Sequence, residues 1–264
     1  ISGATGNVLQ TLVSPNEEVD GRFGFSVAGI GGDVNADGVI DVIVGASNES
    51  PGSSPDAAGR AYIISGANGN VIDTLVSPNE QSNGQFGDSV AGTGGDVNAD
   101  GVPDAIVGAF TESPGSFALA GRAYIISGAT GNVIDTLVSP NEEASGRFGV
   151  SVAGLGGDVN ADGVPDVIVG AVTENPGSIY FAGRAYIISG ANGSVLQTLV
   201  SPNQEAVGLF GESVAGIGGD VNADGTPDVI VGAFREGPGS SPNGAGRAYI
   251  ISGATGSVLQ TLVS

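Results

Sequence analysis

The chain of 264 residues contains no cysteine, methionine, tryptophan, histidine or lysine. Without histidine or cysteine, the nucleophile–base pairs of acyl and thiol chemistry have no members, and without lysine there is no amine catalyst. Seven arginines face 28 acidic residues, which leaves a net charge of −21. A surface of that sign repels nucleic-acid phosphates and anionic bilayers, so neither is expected as a partner. No apolar run reaches the roughly eighteen residues of a spanning helix, so no membrane span is expected. The missing cysteines exclude disulfides and leave the compartment open. The chain opens at Ile1 with neither methionine nor a signal-peptide pattern, as a mature form or a fragment would. Helical periodicity and helix caps are absent too, and an all-β chain is expected.

What the chain does have is a nine-residue loop repeated four times. It reads DVNADGVID from 33, DVNADGVPD from 96 and again from 158, and DVNADGTPD from 220. The spacing implies a fold built from repeated units of about sixty residues. Oxygen-bearing side chains fall at loop positions one, three, five and nine: Asp33, Asn35, Asp37 and Asp41; Asp96, Asn98, Asp100 and Asp104; Asp158, Asn160, Asp162 and Asp166; Asp220, Asn222, Asp224 and Asp228. Position seven (Val39, Val102, Val164, Thr226) varies in side chain, as a backbone-carbonyl ligand allows. Gly38 and its counterparts stand where the chain must turn sharply, and glycine tolerates the positive φ of such a turn. Three crowded carboxylates repel one another until a divalent ion neutralises them. A mixed oxygen cage suits the flexible coordination of Ca2+ better than the strict octahedron of magnesium. About four calcium ions, one per repeat, are therefore expected, although Asp, Asn and Gly are also ordinary turn residues. The loop is not an EF-hand, since it lacks the twelfth-position glutamate and runs straight into a strand-like VIVGA or AIVGA.

Each unit reads as four short strands. In the second unit these are FGDSVAG (86–92), DAIVGAF (104–110), GRAYIISG (121–128) and VIDTLVS (133–139), the last two joined by a tight turn. That turn is elsewhere ANGN or ANGS, and Asn-Gly is a strong hairpin signal. Apolar runs without strict alternation suggest strands covered on both faces. Repeated four-stranded units of this kind point to the blades of a β-propeller, at about 22–76, 85–138, 147–200 and 209–263, with an extra strand at 1–14, the whole 1–264 forming one domain.

FG followed by SVAG, then the DxNxDGxxD loop, then VGA, resembles the FG-GAP repeat of integrin α-subunit propellers and their bacterial relatives. The matching pairs are Phe23-Gly24, Phe86-Gly87, Phe148-Gly149 and Phe210-Gly211, with Gly45-Ala46, Gly108-Ala109, Gly170-Ala171 and Gly232-Ala233. The chain departs from the family in lacking proline after Gly-Ala, and in having four units where family propellers usually have seven. Its ends are redundant, ISGATGNVLQTLVS at 1–14 returning as ISGATGSVLQTLVS at 251–264. A closed four-bladed monomer, a larger ring of two chains and a window on a longer array all remain open, and the first is preferred.

The repeats differ mainly in the loops between second and third strands and in the connections between units, which share one face of a propeller. The residues there that suit a binding site are Phe110, Phe117, Tyr180, Phe181, Phe234 and Arg235, since aromatics and arginine favour binding hot spots. The four arginines of GRAYIIS (Arg60, Arg122, Arg184, Arg247) are expected to pair with nearby acids. The expected function is a calcium-stabilised extracellular or cell-surface adhesion module, not an enzyme, that holds a protein or glycan. The alternative is a structural or assembly repeat, with self-association or a longer array.

Overall fold

The computed structural model describes residues 1–50, 55–237 and 244–263; parts of two loops that vary between repeats lie outside these. Sixteen strands form four antiparallel sheets of sequential order. Blade 1 is β1 (Phe23–Gly29), β2 (Val42–Ala46), β3 (Arg60–Ile64) and β4 (Val71–Leu75). Blade 2 is β5 (Ser89–Gly92), β6 (Ala105–Ala109), β7 (Arg122–Ile126) and β8 (Val133–Leu137). Blade 3 is β9 (Phe148–Gly154), β10 (Val167–Ala171), β11 (Arg184–Ile188) and β12 (Val195–Leu199). Blade 4 is β13 (Phe210–Gly216), β14 (Val229–Ala233), β15 (Arg247–Ile251) and β16 (Val258–Val263). The sheets are those of a β-propeller, and the only helical turn among the described residues is one 3-10 turn at Pro176–Ser178.

Blades pack face to face because their middle strands are apolar on both sides. Ile43, Ile63 and Leu75 of blade 1 join Phe86, Val90, Val107 and Tyr124 of blade 2 in one buried cluster. The same positions recur between blades 2 and 3 and between blades 3 and 4. At each junction the glycine of VGA or IVGA faces the glycine of the next FG. A Cβ on Gly45 would come within 1.9 Å of the Gly87 carbonyl oxygen, and one on Gly108 within 2.0 Å of that of Gly149. The FG and GA pairs are therefore the two sides of one backbone approach that no side chain fits. First strands lie innermost and are stitched together: the Val90 amide donates to Ser26 Oγ and the Val152 amide to Ser89 Oγ, both at 3.0 Å.

Two expectations about the ends change. The blades form an open run instead of a closed four-bladed ring. Val27 on β1 is 67% exposed, whereas its counterpart Val90 is 5% exposed, so blade 4 does not cover blade 1. Residues 1–14 form no strand, because the partner strand that would hydrogen-bond them is absent. They nevertheless occupy the position of an outer strand from a preceding blade. The turn bonds Ser2 N to Asn7 O (2.7 Å) and Gly6 N to Ser2 O (2.8 Å) repeat those of Ser65 N to Asn70 O and Gly69 N to Ser65 O. Leu12 packs on the leading side of blade 1.

Candidate functional site

The two faces on which the strand connections emerge carry different chemistry, and both follow from local backbone geometry. On one face are the four nonapeptide loops, one per blade. Gly38 and its counterparts have φ of 88–89°, as their turn requires, and Ala36, Ala99, Ala161 and Ala223 are also left-handed, at 61–62°. The first aspartate holds the loop by accepting from the amide five residues on: Gly38 N to Asp33 Oδ2 is 2.6 Å, and Gly101 N to Asp96 Oδ2 is 2.6 Å. Asn35 accepts from the Asp37 amide at 3.0 Å. The fifth-position aspartate reaches the turn of the same blade, Ser65 Oγ donating to Asp37 Oδ2 at 2.9 Å. The ninth, fully buried in every copy, accepts from two backbone amides: Val34 N at 2.7 Å and Gly66 N at 3.0 Å in blade 1.

The donor set is all oxygen, and its carboxylates sense one another. Burial pushes the Asp104 and Asp166 carboxyls up, partly offset by the amides that donate to them, and the neighbouring loop aspartates push them further. In the exposed position-five carboxyls hydrogen bonds act the other way: Ser65 first holds Asp37 down, and Asn98 first holds Asp100 down. Among the described residues no three acidic side chains converge as the ligands of an ion would; each instead leans on the amides of its own loop. A carboxylate that accepts one or two bonds keeps lone pairs free, so the residues fit a hard cation that draws them inward. The hydrogen bonds also explain the repeated Asp and Gly as turn chemistry. Asp41, Asp104, Asp166 and Asp228 have a structural task in either case.

The other face carries the loops that differ. Between blades 3 and 4 a surface cleft of about 450 Å³ is lined by Ser145, Arg147, Thr173, Tyr180, Phe181, Val207, Leu209 and Arg235. Backbone bonds build it: Val207 N donates to Tyr180 O at 2.7 Å and Leu209 N to Phe181 O at 3.1 Å. Tyr180 stacks on Phe181, ring centroids 3.9 Å apart at 19°, and is 59% exposed. Phe181, Val207 and Leu209 all have positive φ, at 52°, 62° and 58°. For a β-branched valine that conformation is strained, although the equivalent Asp20, Asn83 and Ser145 are left-handed too.

Of the six residues expected on this face, the structure brings Tyr180, Phe181 and Arg235 together in the cleft. Phe234 lies beside it under the Arg235 guanidinium, 5.4 Å from the ring centroid. Phe110 is half-buried beneath Arg147 at 5.8 Å. Phe117 stands apart, exposed on the blade 2 loop. Sequence reasoning passed over Arg147, Val207 and Leu209 as individual residues, although all belong to connections that vary between units.

It also passed over a buried latch at every blade junction. Glu49, Glu112, Glu174 and Glu236 are 0–1% exposed. Each accepts from the tyrosine of its own blade, Tyr62, Tyr124, Tyr186 or Tyr249. A serine leaving the preceding unit completes the group: Ser14 donates to Glu49, Ser139 to Glu174, Ser77 to Tyr124 at 3.2 Å and Ser201 to Tyr249 at 3.2 Å. Arg122 pairs with Glu112 at 3.2 Å and Arg184 with Glu174 at 2.9 Å, whereas Arg60 and Arg247 bond the carbonyls of Ser50 and Gly237. The available signal was a Glu-x-Pro-Gly-Ser stretch present in all four loops, which diverge on either side of it.

With this geometry in place, residues 210–251 match the family model described as FG-GAP repeat. The fold is that of integrin-like FG-GAP repeats. The chain is 31% identical to integrin alpha-5 of Xenopus laevis over 236 residues, 86% of this chain and 21% of that protein. It is 35% identical to integrin alpha-7 of Mus musculus over 175 residues, 63% of this chain and 14% of that protein. A further relative is the phosphatidylinositol-glycan-specific phospholipase D of Bos taurus, 34% identical over 162 residues, 56% of this chain and 19% of that protein. The FG-GAP chain thus spans about a fifth or less of the length of these relatives. Among the described residues no helix is long and apolar enough to cross a membrane.

Proposed function

We propose that the chain is a calcium-stabilised, extracellular propeller module that holds a protein or glycan ligand on the face carrying its divergent loops. The observation that carries this reading is the cleft between blades 3 and 4. There a stacked, solvent-facing Tyr180–Phe181 pair and two arginines meet in a chain whose repeats are otherwise nearly alike. An exposed aromatic platform offers stacking area to a sugar ring or an apolar side chain. Arg147 and Arg235 add charged donors in a protein otherwise strongly acidic. The integrin α relatives support an adhesion-type role. The cleft contains no histidine, cysteine or lysine, so binding rather than turnover is the chemistry its residues offer. Calcium enters at the opposite face, where Asp33, Asn35, Asp37, the Val39 carbonyl and Asp41, with their three sets of counterparts, would supply the oxygens.

The test is a glycan and matrix-protein array probed with the whole chain, with and without calcium, alongside Tyr180→Ala and Arg147→Ala. Binding that the substitutions weaken at least tenfold supports the reading. Binding indifferent to both, or none across the array, refutes it.

A further inference from the structure

The seven arginines are employed in two different ways. Arg122 and Arg184 pair with the latch glutamates, and Arg60 and Arg247 donate to backbone carbonyls. Arg22, Arg147 and Arg235 stand instead in the variable connections, and all three are exposed. Among the described residues none of these three forms a salt bridge. Residues 51–54, 238–243 and 264, outside the described ranges, include no Asp or Glu side chain to supply one. What each does have is a phenylalanine ring: the guanidinium carbon lies 5.8 Å from the centroid of Phe25, 5.8 Å from that of Phe110 and 5.4 Å from that of Phe234. A ring face steadies a guanidinium without using up its fork of N–H donors.

Two of the three meet in one place, since Arg147 and Arg235 both line the cleft between blades 3 and 4. No acid lines it, in a chain that has 28. Acids of the adjoining connections are engaged elsewhere: Glu143 with Arg184 and the Asn175 amide, Glu205 with the Gly237 amide. The other junctions differ. Between blades 2 and 3, Gln85 and Thr173 stand in the two arginine positions, and between blades 1 and 2, Arg22 is accompanied by Asp20 and Asp56.

We propose that this cleft takes an anionic sugar unit of a polysaccharide, its ring stacked on Tyr180 and its carboxylate or sulfate held by Arg147 and Arg235. The inference rests on the cleft being the ligand site and adds the chemistry of what enters it. An arginine fork matches the paired oxygens of a carboxylate or sulfate, so it supplies geometry as well as charge. Tyr180, 59% exposed and stacked on Phe181, offers a flat apolar face to the C–H face of a sugar ring. The cleft volume of about 450 Å³ falls within the rough range of small-ligand sites, 300–1,000 Å³. An acidic peptide shares the charge but finds no main-chain edge to pair with. Val207 N is already bonded to Tyr180 O and Leu209 N to Phe181 O, so the backbone around the cleft is bonded to itself. The rest of the surface, in a chain of net charge −21, repels a polyanion. Affinity for one is therefore confined to the cleft and depends on its two arginines.

The experiment is titration calorimetry of the full chain, with calcium held constant and at roughly 0.15 M salt so that long-range repulsion is screened. The probes are a hexasaccharide alternating glucuronate and N-acetylglucosamine, the same chain with its carboxyls reduced to alcohols, and that reduced chain sulfated. A glutamate-rich peptide of equal charge is the fourth. Both anionic sugars are expected to bind, with the neutral sugar and the peptide at least about tenfold weaker. Arg147→Gln and Arg235→Gln should each lower affinity for the anionic sugars about tenfold or more and leave that for the neutral sugar unchanged. Arg147→Lys, which keeps the charge and loses the fork, should fall between. Arg22→Gln removes the same charge outside the cleft and should change nothing. All these side chains are exposed, so each variant should melt as the parent does. Equal affinity for neutral and anionic sugars, or anionic binding that neither glutamine variant lowers, would overturn the proposal. So would a preference for the peptide over both anionic sugars. If no anionic probe binds here or on the glycan and matrix-protein array, while a neutral ligand binds there and is lost with Tyr180→Ala, the anion is wrong and the cleft stands. Silence throughout overturns both the anion and the cleft.

Discussion

Substituting Tyr186 by phenylalanine tests whether the junction latch is a source of stability. Tyr186 is fully buried, donates to Glu174 and accepts from Asn141 Nδ2 at 3.1 Å, the asparagine coming from the preceding unit. The phenyl ring would keep its tilted contact with Phe148, centroids 5.8 Å apart, so only the hydroxyl is removed. A hydrogen bond to a charged group contributes about 1.5–3 kcal/mol and a neutral one about 1 kcal/mol. Asn141 is part-exposed and can turn to water, so its share is small. Glu174 keeps Arg184 and Ser139, which spares it the full cost of an unpaired buried charge. The expected loss is therefore roughly 2–3 kcal/mol, or about 5–10 °C in Tm for a chain of this size.

The loss should also depend on pH in a stated direction. Burial pushes the Glu174 carboxyl above its ordinary value, while Ser139, Tyr186 and Arg184 hold it down. Removing the tyrosine hydroxyl raises it further. A raised carboxyl contributes stability that is complete below the unfolded value and is lost as pH rises through the folded one. The variant's deficit is therefore greatest at neutrality and shrinks in mild acid. Thermal and urea melts of Tyr186→Phe, Ser139→Ala and the double variant measure both the cost and the coupling, which for residues in one network should be at least about 0.5 kcal/mol. A cost below about 0.5 kcal/mol, the range of an ordinary surface change, or a deficit that grows in acid would refute the reasoning.

Other outcomes follow from the two faces and the glycine contacts. If each loop binds calcium with a Kd of ~10 μM in ~1 mM calcium, linkage adds ~2.7 kcal/mol per site, so EDTA should lower the melting temperature strongly; identical melts with and without the chelator would remove calcium from the account. Isothermal titration should count about four ions, and about three for Asp158→Ala, whose carboxylate closes its loop on Gly163. Gly108→Ala should disrupt the junction of blades 2 and 3, because its Cβ would lie 2.0 Å from the Gly149 carbonyl oxygen, whereas Gly232→Ala should leave the monomer's melt unchanged. Equal effects of the two would mean that blade 4 is covered within the single chain.

Much of this architecture is legible in the residues, because it is local or repeated. The tight turns, the left-handed Gly38 and the four strands per unit follow from short-range chemistry that a sequence displays directly. The pairing of Arg122 and Arg184 with acids was also foreseeable. What was not legible depends on contacts between units. Glu174 sits in a loop that diverges outside its Glu-x-Pro-Gly-Ser stretch, so its burial shows only when Tyr186 and Ser139 are seen to converge on it. Ring closure is set by the angle between blades, which no residue type announces. Residues 1–14 have the composition of a strand and lack one only because no partner strand reaches them. Ala36 turns left-handed where glycine would be expected, held by the flanking Asp33 and Asn35 bonds to the loop amides.

The division between uniform and divergent residues has a mechanical cause. A trailing face must fit the leading face of whatever blade follows, so the residues of the junction can change only in concert and remain alike in all four units. The divergent loops touch little beyond the adjoining connection, and there substitution is free. The frame of the cleft recurs, since Asn83 N bonds Asp56 O and Ser145 N bonds Ala118 O as Val207 N bonds Tyr180 O. Its lining does not recur: Tyr180 and Phe181 stand where blade 1 has Asp56 and Ala57 and blade 2 has Ala118 and Leu119. The strained φ of Val207 is likewise taken by aspartate at 20, asparagine at 83 and serine at 145, and Asn and Asp accept it readily. A ligand that reads this lining binds once per chain, whereas an ion that reads the repeated loops binds at every blade. Binding stoichiometry alone thus separates what the repeat does from what the cleft does.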